Sequence, residues 1–427
     1  MSTLRVAVAR ESGTTAVLTI VALVAFVATL DNTIVAAAAP SMGRELGLGV
    51  TALEWAGIAY MLPYAALMLP AGVVIDRLGR RRVLLAGCGL FVAGALLGGA
   101  AWSAEVLFVA RGAQGAAAAF VVPGTLSLIR TSLPADRRGL AVAVWTAALA
   151  AALALGPWLG GALAEYLHWS WIFLGTVPLL VAVTVLVARA VRTEPIRRGT
   201  RGRRGVAKAL LTNRVFAGSN VLVVLWGLGI SGIAFFTPLL HQEFLGLGPA
   251  AAGLPLVLVA AAVICATPCV APVSRTLGAS RAVCLGLLVV ALGLVALAVA
   301  GDRHALAPRL AGLLLIGAGS AFTAPITAHG LDAVAEEDSG TASGVLMSSR
   351  ELASALGVAV IGSVLSTVRA DELAAGAERG HALAAGYTAG LLLAAVLQAV
   401  AAGLALVVLR ERRENVATTL SQEGEGA

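Results

Sequence analysis

Long apolar runs dominate the chain, and short polar or charged stretches separate them. A transmembrane helix needs roughly 20 consecutive, mostly apolar residues. The runs lack the alternation of apolar and polar positions that is typical of strands, so we interpret them as helices of an all-α membrane protein. The pattern predicts twelve spans, numbered 1 to 12 in chain order, at residues 15–39, 52–75, 83–101, 105–129, 139–163, 171–191, 214–238, 250–272, 281–300, 307–330, 341–367 and 385–409.

The positively charged residues predict how these spans are oriented. With a cytoplasmic N-terminus, the termini and the even-numbered connections hold 23 of the 30 lysines and arginines. The odd-numbered connections, counted with the residues at the ends of the adjoining spans, then hold five, Arg309 among them, and Arg111 and Arg350 lie deeper within spans. Cytoplasmic segments of membrane proteins are enriched in Lys and Arg. We therefore expect a multi-pass protein of the cell membrane with both termini in the cytoplasm.

The longest basic connection divides six spans from six. We expect residues 1–191 and 214–409 to form two halves, joined by a basic cytoplasmic linker at 192–213 and followed by a cytoplasmic tail at 410–427. The linker favours a solvated segment near anionic lipid over any specific binding role.

Short sequences recur between the two halves. Leu78-Gly79 recurs as Leu277-Gly278 at an offset of 199 residues, and each copy is followed by an arginine three positions after the glycine. Six spans in each half place the halves in the same orientation, as parallel repeats related by an axis along the membrane normal. Such repeats predict a substrate site between the halves near the midplane.

Composition excludes several classes of protein. The chain is 59% hydrophobic and 12% charged, whereas soluble domains are about a quarter charged. Lys208 is the sole lysine and follows no glycine-rich phosphate loop, so we expect neither ATP-driven transport nor an enzyme. Cys265 and Cys269 lack nearby histidines or carboxylates and favour packing over metal binding. We expect no cofactor, no metal and no nucleic-acid partner, and a monomer in the bilayer.

The connection after span 2 combines an aspartate, two glycines and a run of arginines. Its key positions are Gly72, Asp76, Arg77, Gly79, Arg80 and Arg81. The segment resembles the G-x-x-x-D-R-x-G-R-R signature of the major facilitator superfamily. The resemblance implies a cytoplasmic gate that latches the two halves together. In that arrangement Asp76 faces the N-terminal end of span 11 and the arginines pair across the interface.

Span 5 carries Gly156, Pro157, Gly160 and Gly161. These residues resemble the G-x-x-x-G-P-x-x-G-G pattern of antiporters in the same superfamily, with Ala152 in place of the first glycine. Glycines allow close helix approach, and proline interrupts the regular backbone hydrogen bonds. A generic packing seam of small residues is the alternative interpretation.

Three further motifs narrow the resemblance to the drug:proton antiporter branch of the superfamily. They are Leu30-Asp31-Asn32-Thr33-Ile34-Val35, Arg111-Gly-Ala-Gln114-Gly115 and Trp169-Ser-Trp171-Ile172-Phe173. That branch usually has fourteen spans, with an extra pair between the halves, and this pair is absent here. The resemblance therefore implies a compact twelve-span antiporter.

Asp31 and Arg111 are charged residues deep inside the first half. Ionisable residues within spans are costly and mark functional sites. At a rise of about 1.5 Å per residue, Asp31 lies roughly 13 Å from Pro40, and Arg111 lies roughly 9 Å from Glu105. Both are measured from the same side of the membrane, so they can reach a similar depth. We hypothesise that Asp31 carries the coupling proton, with its pKa set by burial against Arg111. A permanent structural ion pair is the alternative.

Arg350 is a third charge within a span. Adjacent residues on a helix point in different directions, so we expect Arg350 to lie near the cytoplasmic gate and to pair with another helix rather than with Glu351. Polar and aromatic residues of spans 1, 2, 4, 5 and 7 are candidates for the substrate cavity, although each can equally be a packing or interfacial residue. They are Asn32, Trp55, Tyr60, Gln114, Trp145, Trp226, Phe235 and Phe236.

Together these features favour proton-coupled export of a hydrophobic or amphipathic organic compound, such as an antibiotic or several drugs. The expected partners are the small-molecule substrate, protons and the lipid bilayer. Two alternatives stay open. One is a carrier of the same fold for a metabolite such as an amino acid or a sugar, and the other is a sensor of the same fold that transports nothing.

Overall fold

The computed structural model of the protein describes residues 2–191, 210, 212–301, 303, 305–334 and 339–409. Twelve segments in these ranges are helical, long and apolar enough to cross a membrane, which confirms the predicted fold class. The helices of the spans, in chain order, are Ser2–Leu46, Val50–Leu78, Arg80–Gly99, Ala104–Ser132, Ala135–Tyr166, Trp171–Leu174 with Thr176–Ala190, Arg214–Glu243, Pro249–Leu277, Ala279–Val299, Ala307–Ala321 with Ala324–Asp332, Ser339–Ala374 and Arg379–Val408. The tail at 410–427 and most of the linker at 192–213 lie outside the described residues.

Spans 6 and 10 are each broken into two helices, where the apolar pattern predicted one continuous helix. In span 10 the break falls at Phe322 and Thr323, and the next helix has Pro325 in its first turn. Proline lacks a backbone N–H, which makes it suited to the first turn of a helix and unsuited to the interior. Hydropathy records only how apolar a run is, so it does not detect such a break.

Positive backbone φ angles recur at equivalent places in the two halves. Gly47 and Gly246 have φ of 65° and 67°, and Gly79 and Gly278 both have φ of 84°. Each pair is separated by the same 199 residues as the Leu-Gly repeat. Glycine adopts these angles without the strain that a Cβ atom causes. The two halves therefore turn the chain in the same way at both ends of the bundle.

The apolar core is arranged differently at the two ends. We call the end that carries Gly79 and Arg214 the linker face, and the end that carries Gly47 and Gly246 the opposite face. Near the opposite face one core combines buried residues of both halves, such as Ile34 of span 1 with Phe236 of span 7. Towards the linker face, each half has a core of its own. Buried members of these two cores include Ile20, Leu84, Phe91 and Leu128 in the first half, and Phe216, Leu222, Leu287 and Ala342 in the second.

Contacts between the halves follow the same division. Gln242 of span 7 donates a hydrogen bond to the Ala37 carbonyl of span 1 at 2.9 Å. The backbone N–H of Ala250, in the first turn of span 8, donates to Glu165 Oε2 of span 5 at 2.9 Å. Both hydrogen bonds lie near the opposite face, where the shared core also lies. The two halves are thus joined mainly at this end of the bundle.

Candidate functional site

Asp31 and Arg111 form an ion pair in the interior of the first half. Arg111 Nη1 lies 2.5 Å from Asp31 Oδ2, and both side chains are fully buried. The structure confirms that residues of spans 1 and 4 meet at a similar depth, as the helical rise predicted. A buried charge needs a partner of opposite sign and further hydrogen bonds to offset its lost hydration.

Gln114 completes the hydrogen bonding of this pair. Its Nε2 donates to Asp31 Oδ1 at 2.7 Å, and its Oε1 accepts from Arg111 Nη1 at 3.0 Å. Arg111 and Gln114 lie three residues apart, so they occupy the same face of span 4. Each carboxylate oxygen of Asp31 therefore has a donor. We predicted Gln114 as a cavity residue, and the structure places it within the ion-pair cluster, fully buried.

Span 2 contributes the surface on which Arg111 rests. The guanidinium carbon of Arg111 lies 4.5 Å from the ring centroid of Tyr60, within cation–π range. Arg111 Nε donates to the Ala56 carbonyl at 3.0 Å, and the Tyr60 hydroxyl donates to the Ala28 carbonyl at 3.0 Å. Tyr60 is fully buried. It supports the charge cluster, whereas the sequence suggested that it lines the cavity.

The glycine of the Arg111-x-x-Gln114-Gly115 motif has a packing role. A Cβ atom on Gly115 would overlap the backbone of Tyr60, so only glycine lets span 4 approach span 2 this closely. Gly94 of span 3 acts similarly, since a Cβ there would lie 2.9 Å from Gln114 Cγ. The motif thus supplies a cation, a hydrogen-bonding amide and a close helix contact. Gly94 was not singled out from the sequence.

The glycines of span 5 lie where this helix crosses spans 1 and 8. A Cβ on Gly156 would overlap the Thr33 hydroxyl, and a Cβ on Gly160 would overlap the Ile34 carbonyl. A Cβ on Gly161 would overlap the Pro249 carbonyl, which belongs to the second half. The motif therefore joins the halves near the opposite face, in addition to packing within the first half.

The partner helix at this crossing also carries a glycine. A Cβ on Gly253 of span 8 would overlap the Pro157 carbonyl of span 5. Glycines on both helices thus bring the two backbones close together, and the proline of the motif lies directly at the contact.

Trp169 fastens the connection between spans 5 and 6 to the end of span 1. Its Nε1 donates to Glu45 Oε2 at 2.7 Å, and His168 Nε2 lies 2.8 Å from the same oxygen. The Trp169 ring packs edge-on against Phe173, with the centroids 6.3 Å apart. This arrangement accounts for the Trp-Ser-Trp-Ile-Phe motif as an anchor of the opposite face.

All but one of the remaining predicted cavity residues fall into two groups. Phe235 and Phe236 are buried in the shared core with their rings 5.1 Å apart, so they pack between the halves. Asn32, Trp145 and Trp226 are partly buried, and one polar atom of each has no hydrogen-bond partner in the described part of the chain. All three of these atoms are buried.

Trp55 belongs to neither group, because it is 47% exposed on the outside of span 2. Aromatic residues in such positions near a helix end are typical of interfacial anchors.

The basic segment after span 2 turns at Gly79, which has a φ of 84° and separates the helix that ends at Leu78 from the helix that begins at Arg80. Arg77 is exposed and Arg80 is buried. Arg81 Nη2 donates to the Ala188 carbonyl at 2.9 Å, so it bonds to span 6 of its own half, where we expected a partner in the second half. Gly72 lies one turn before Asp76, and the side chain of Asp76 lies outside the described residues.

The expectation for Arg350 was wrong in one respect. Its Nη2 lies 3.1 Å from Oε1 of the adjacent Glu351, so within the described part of the chain it pairs along its own helix and not with another span. The Cβ atoms of neighbouring residues diverge, but the long arginine side chain can curl around the helix to bring its end back. Arg350 is half exposed and Glu351 is buried.

Three buried polar residues were not recognised from the sequence as candidate site residues. Glu54 of span 2 is 4% exposed. His241 of span 7 is fully buried, with Nδ1 3.1 Å from the Ala252 carbonyl. Arg309, which we assigned to a connection, is fully buried within span 10 and donates to the Gly301 carbonyl at 2.9 Å. The rule that charges within spans mark functional sites would have selected Glu54.

Comparison with known proteins agrees with this architecture. Residues 21–358 match the family model described as Major Facilitator Superfamily. The "Multidrug resistance protein Stp" of Mycobacterium tuberculosis is 30% identical over 397 residues, which cover 80% of this chain and 74% of Stp. The "Multidrug efflux pump LfrA" of Mycolicibacterium smegmatis is 41% identical over 175 residues, or 41% of this chain and 35% of LfrA.

Solved structures give the same result for the fold. A bacterial homologue of the human lysosomal transporter Spinster, in an inward-facing and unoccupied conformation, superposes with a TM-score of 0.75 and 16% identity. The superposition covers 94% of this chain and 97% of that one. Taken with the family match and the twelve helices, these findings show that the chain belongs to the major facilitator superfamily and is a membrane transporter, not an enzyme.

Proposed function

We propose that the protein exports hydrophobic or amphipathic organic compounds, antibiotics or other drugs among them, in exchange for protons. The names of Stp and LfrA support a drug substrate, because they describe multidrug resistance and efflux. The same names support an outward direction of transport. The proposed driving force is the flow of protons into the cell. In the proposed orientation both termini lie in the cytoplasm.

The observation that carries the proton coupling is the fully buried carboxylate of Asp31. It accepts hydrogen bonds from Arg111 on span 4 and from Gln114 on the same helix. Adding a proton to Asp31 removes its negative charge and hence the Coulomb attraction that holds the Arg111 guanidinium. Spans 1 and 4 are then free to change their packing. A charge change of this kind can bias one arrangement of the halves over another.

The substrate site that we propose lies between the two separate cores, towards the linker face. Trp145 and Trp226 offer unpartnered polar atoms there beside apolar surface, and Asn32 offers another next to the residues of span 1 that enter the shared core. A mostly apolar cavity with a few polar groups suits an amphipathic organic compound. A sugar needs many more hydrogen-bonding groups, which makes the metabolite carrier the weaker alternative.

The test is transport of ethidium, an amphipathic cationic dye, in proteoliposomes with an imposed proton gradient. We expect the wild-type protein to move ethidium against its gradient, and Asp31→Asn to lose gradient-driven transport at least tenfold while it still binds the dye. Asparagine keeps the shape of aspartate but cannot carry a proton. Glu105→Gln, which neutralises an exposed carboxylate at the start of span 4, is the matched control and should behave as wild type.

Two results would contradict the proposal. Gradient-driven transport by Asp31→Asn at the wild-type rate would leave the Asp31–Arg111 pair with a purely structural role. Proton-driven uptake of a sugar or an amino acid, without any movement of ethidium, would favour the metabolite carrier.

A further inference from the structure

Glu54 is a buried carboxyl group at the interface between the halves. It lies in span 2, one turn after the helix begins at Val50, near the opposite face. Its side chain covers Gly362 of span 11, where an added Cβ would overlap the Glu54 carboxyl group. The carboxyl group therefore fills the space that the glycine leaves free, and it is enclosed because spans 2 and 11 pack together here.

The Glu54 carboxyl group has no counter-charge in this interface, as far as the described residues extend. Its Oε1 is buried there without a hydrogen-bond partner. The nearest stretches of spans 1, 7 and 11, at residues 34–42, 231–239 and 358–366, contain no titratable side chain. Arg369 is seven residues beyond Gly362, or about 10 Å along span 11.

The other charged groups near Glu54 belong to separate contacts. Span 4 contributes Arg111, but this side chain bonds to Asp31 and to the Ala56 carbonyl. Residues 54 and 56 are about 200° apart around the helix, so Glu54 and the Asp31 cluster lie on different sides of span 2. His241 of span 7 bonds to the Ala252 carbonyl, and Glu105 of span 4 is exposed.

A cavity of about 270 Å³ lies at the opposite face close to this interface, and neither Glu54 nor Gly362 lines it. Its lining includes Val50, which lies one turn before Glu54, and Leu53, the residue directly before Glu54. The lining also includes four charged residues, which are Arg44, Glu243, Arg369 and Arg379. Water in this cavity would bring protons from the opposite side of the membrane to within about one helical turn of the carboxyl group.

We propose that Glu54 is a second proton-binding site, and that it binds a proton from the opposite side when spans 2 and 11 close over it. An ionised carboxylate without a partner is costly to bury, whereas the neutral acid is tolerated. Opening of the halves at this face exposes Glu54 to water and lets it ionise. The inference rests on the proposed function only in that the two halves must separate at the opposite face during transport.

The test measures the distance between spans 2 and 11 at the opposite face as a function of pH. Spin labels on Thr51→Cys and Ala370→Cys, both exposed positions, would report this distance in the full chain in lipid nanodiscs after replacement of the four native cysteines. We expect the wild type to shift from mostly separated at pH 8.5 to mostly closed at pH 5.5, a change of at least fivefold in the ratio of the two populations. Glu54→Gln, which cannot ionise, should stay closed throughout.

Gly362→Ala is a second variant, and it leaves the Glu54 side chain itself unchanged. Its added methyl group collides with the carboxyl group in the closed form, so it should raise the separated population at every pH. Gly403→Ala, at a glycine with nothing within 4 Å of its Cβ position, is the control and should match wild type.

The inference is overturned if Glu54→Gln keeps the wild-type dependence on pH, or if the wild-type distance does not change with pH. Asp31→Asn separates this result from the proposed function. If Asp31→Asn loses ethidium transport but keeps the wild-type dependence of the distance between spans 2 and 11 on pH, the result supports two distinct proton sites. A pH response that disappears in Asp31→Asn but persists in Glu54→Gln assigns the switch to Asp31 and overturns the role of Glu54.

Discussion

Each oxygen of the Asp31 carboxylate accepts a hydrogen bond, one from Arg111 and one from Gln114. Because the donors come from one helix and the acceptor from another, the cluster fixes spans 1 and 4 to each other as well as neutralising the charge. Hydrogen bonds to charged groups contribute about 1.5–3 kcal/mol, against about 1 kcal/mol for neutral pairs. The contribution of Gln114 should therefore exceed that of an ordinary buried amide.

We expect Gln114→Leu to lower the unfolding free energy by about 1.5–3 kcal/mol, because Asp31 Oδ1 loses its donor. The measurement is thermal or denaturant unfolding in detergent at pH 8. Gln398→Leu in span 12 is the matched control, since Gln398 is also fully buried but donates to the neutral carbonyls of Leu225 and Trp226, at 3.3 Å. An equal or smaller loss in Gln114→Leu would contradict this account.

At this scale the sequence identified part of the site. Charges inside apolar spans, combined with the rise of the helix, were enough to bring Asp31 and Arg111 to one depth. The roles of Tyr60 and Gln114 could not be predicted, because a sequence pattern does not tell a side chain in a cavity from one enclosed beside an ion pair. The Arg350–Glu351 contact depends on side-chain torsions, which the helical spacing does not determine.

Glycines shape the contacts between helices. Span 5 crosses span 1 at Gly156 and Gly160, and it crosses span 8 at Gly161, always with the neighbouring backbone or hydroxyl in the place of a missing Cβ. In a bilayer, close packing of small residues is a main source of helix association, since lipid and side chain are equally apolar. The helix-breaking residue Pro157 is tolerated at this crossing.

Gly160→Val should push span 5 away from the Ile34 carbonyl and lower stability by about 1–3 kcal/mol, which is typical of overpacking. Thermal unfolding of the purified protein in detergent measures the effect. Gly403→Val, where the space around the Cβ position is open, carries the same β-branched side chain into a span and serves as the control. Similar losses in both variants would mean that helix propensity, and not the crossing, is responsible.

Span existence was predictable from the sequence, but span ends and breaks were not. Span 1 continues past Pro40 to Leu46, and span 11 continues to Ala374, because a helix can run on through polar residues once it has left the apolar layer. The break before Pro325 depends on local backbone geometry. Apolar length alone contains neither kind of information.

The whole molecule has one shared core near the opposite face and two separate cores towards the linker face. This asymmetry leaves the halves closed at one end and less connected at the other. The distribution of lysine and arginine predicts that the linker face is cytoplasmic. A site between the separate cores would then be reached from the cytoplasm, as export requires.

Labelling of single cysteines tests this orientation. In a variant without native cysteines, we expect Thr51→Cys at the opposite face to react with a membrane-impermeant maleimide in intact cells. Leu78→Cys at the linker face should react only after the cells are permeabilised. Both positions are exposed, which makes each the control for the other. The reverse pattern would place the termini outside the cell.

The enclosure of Glu54 also has a consequence for how the protein is made. Gly362, which covers the carboxyl group, is synthesised about 300 residues after Glu54, and at 5–20 residues per second this delay is roughly 15–60 s. During that time span 2 is already in the membrane without the helix that later encloses it. The acidic side chain must wait in neutral form or beside the lipid headgroups. The enclosure of Glu54 is therefore complete only after the eleventh span has been synthesised.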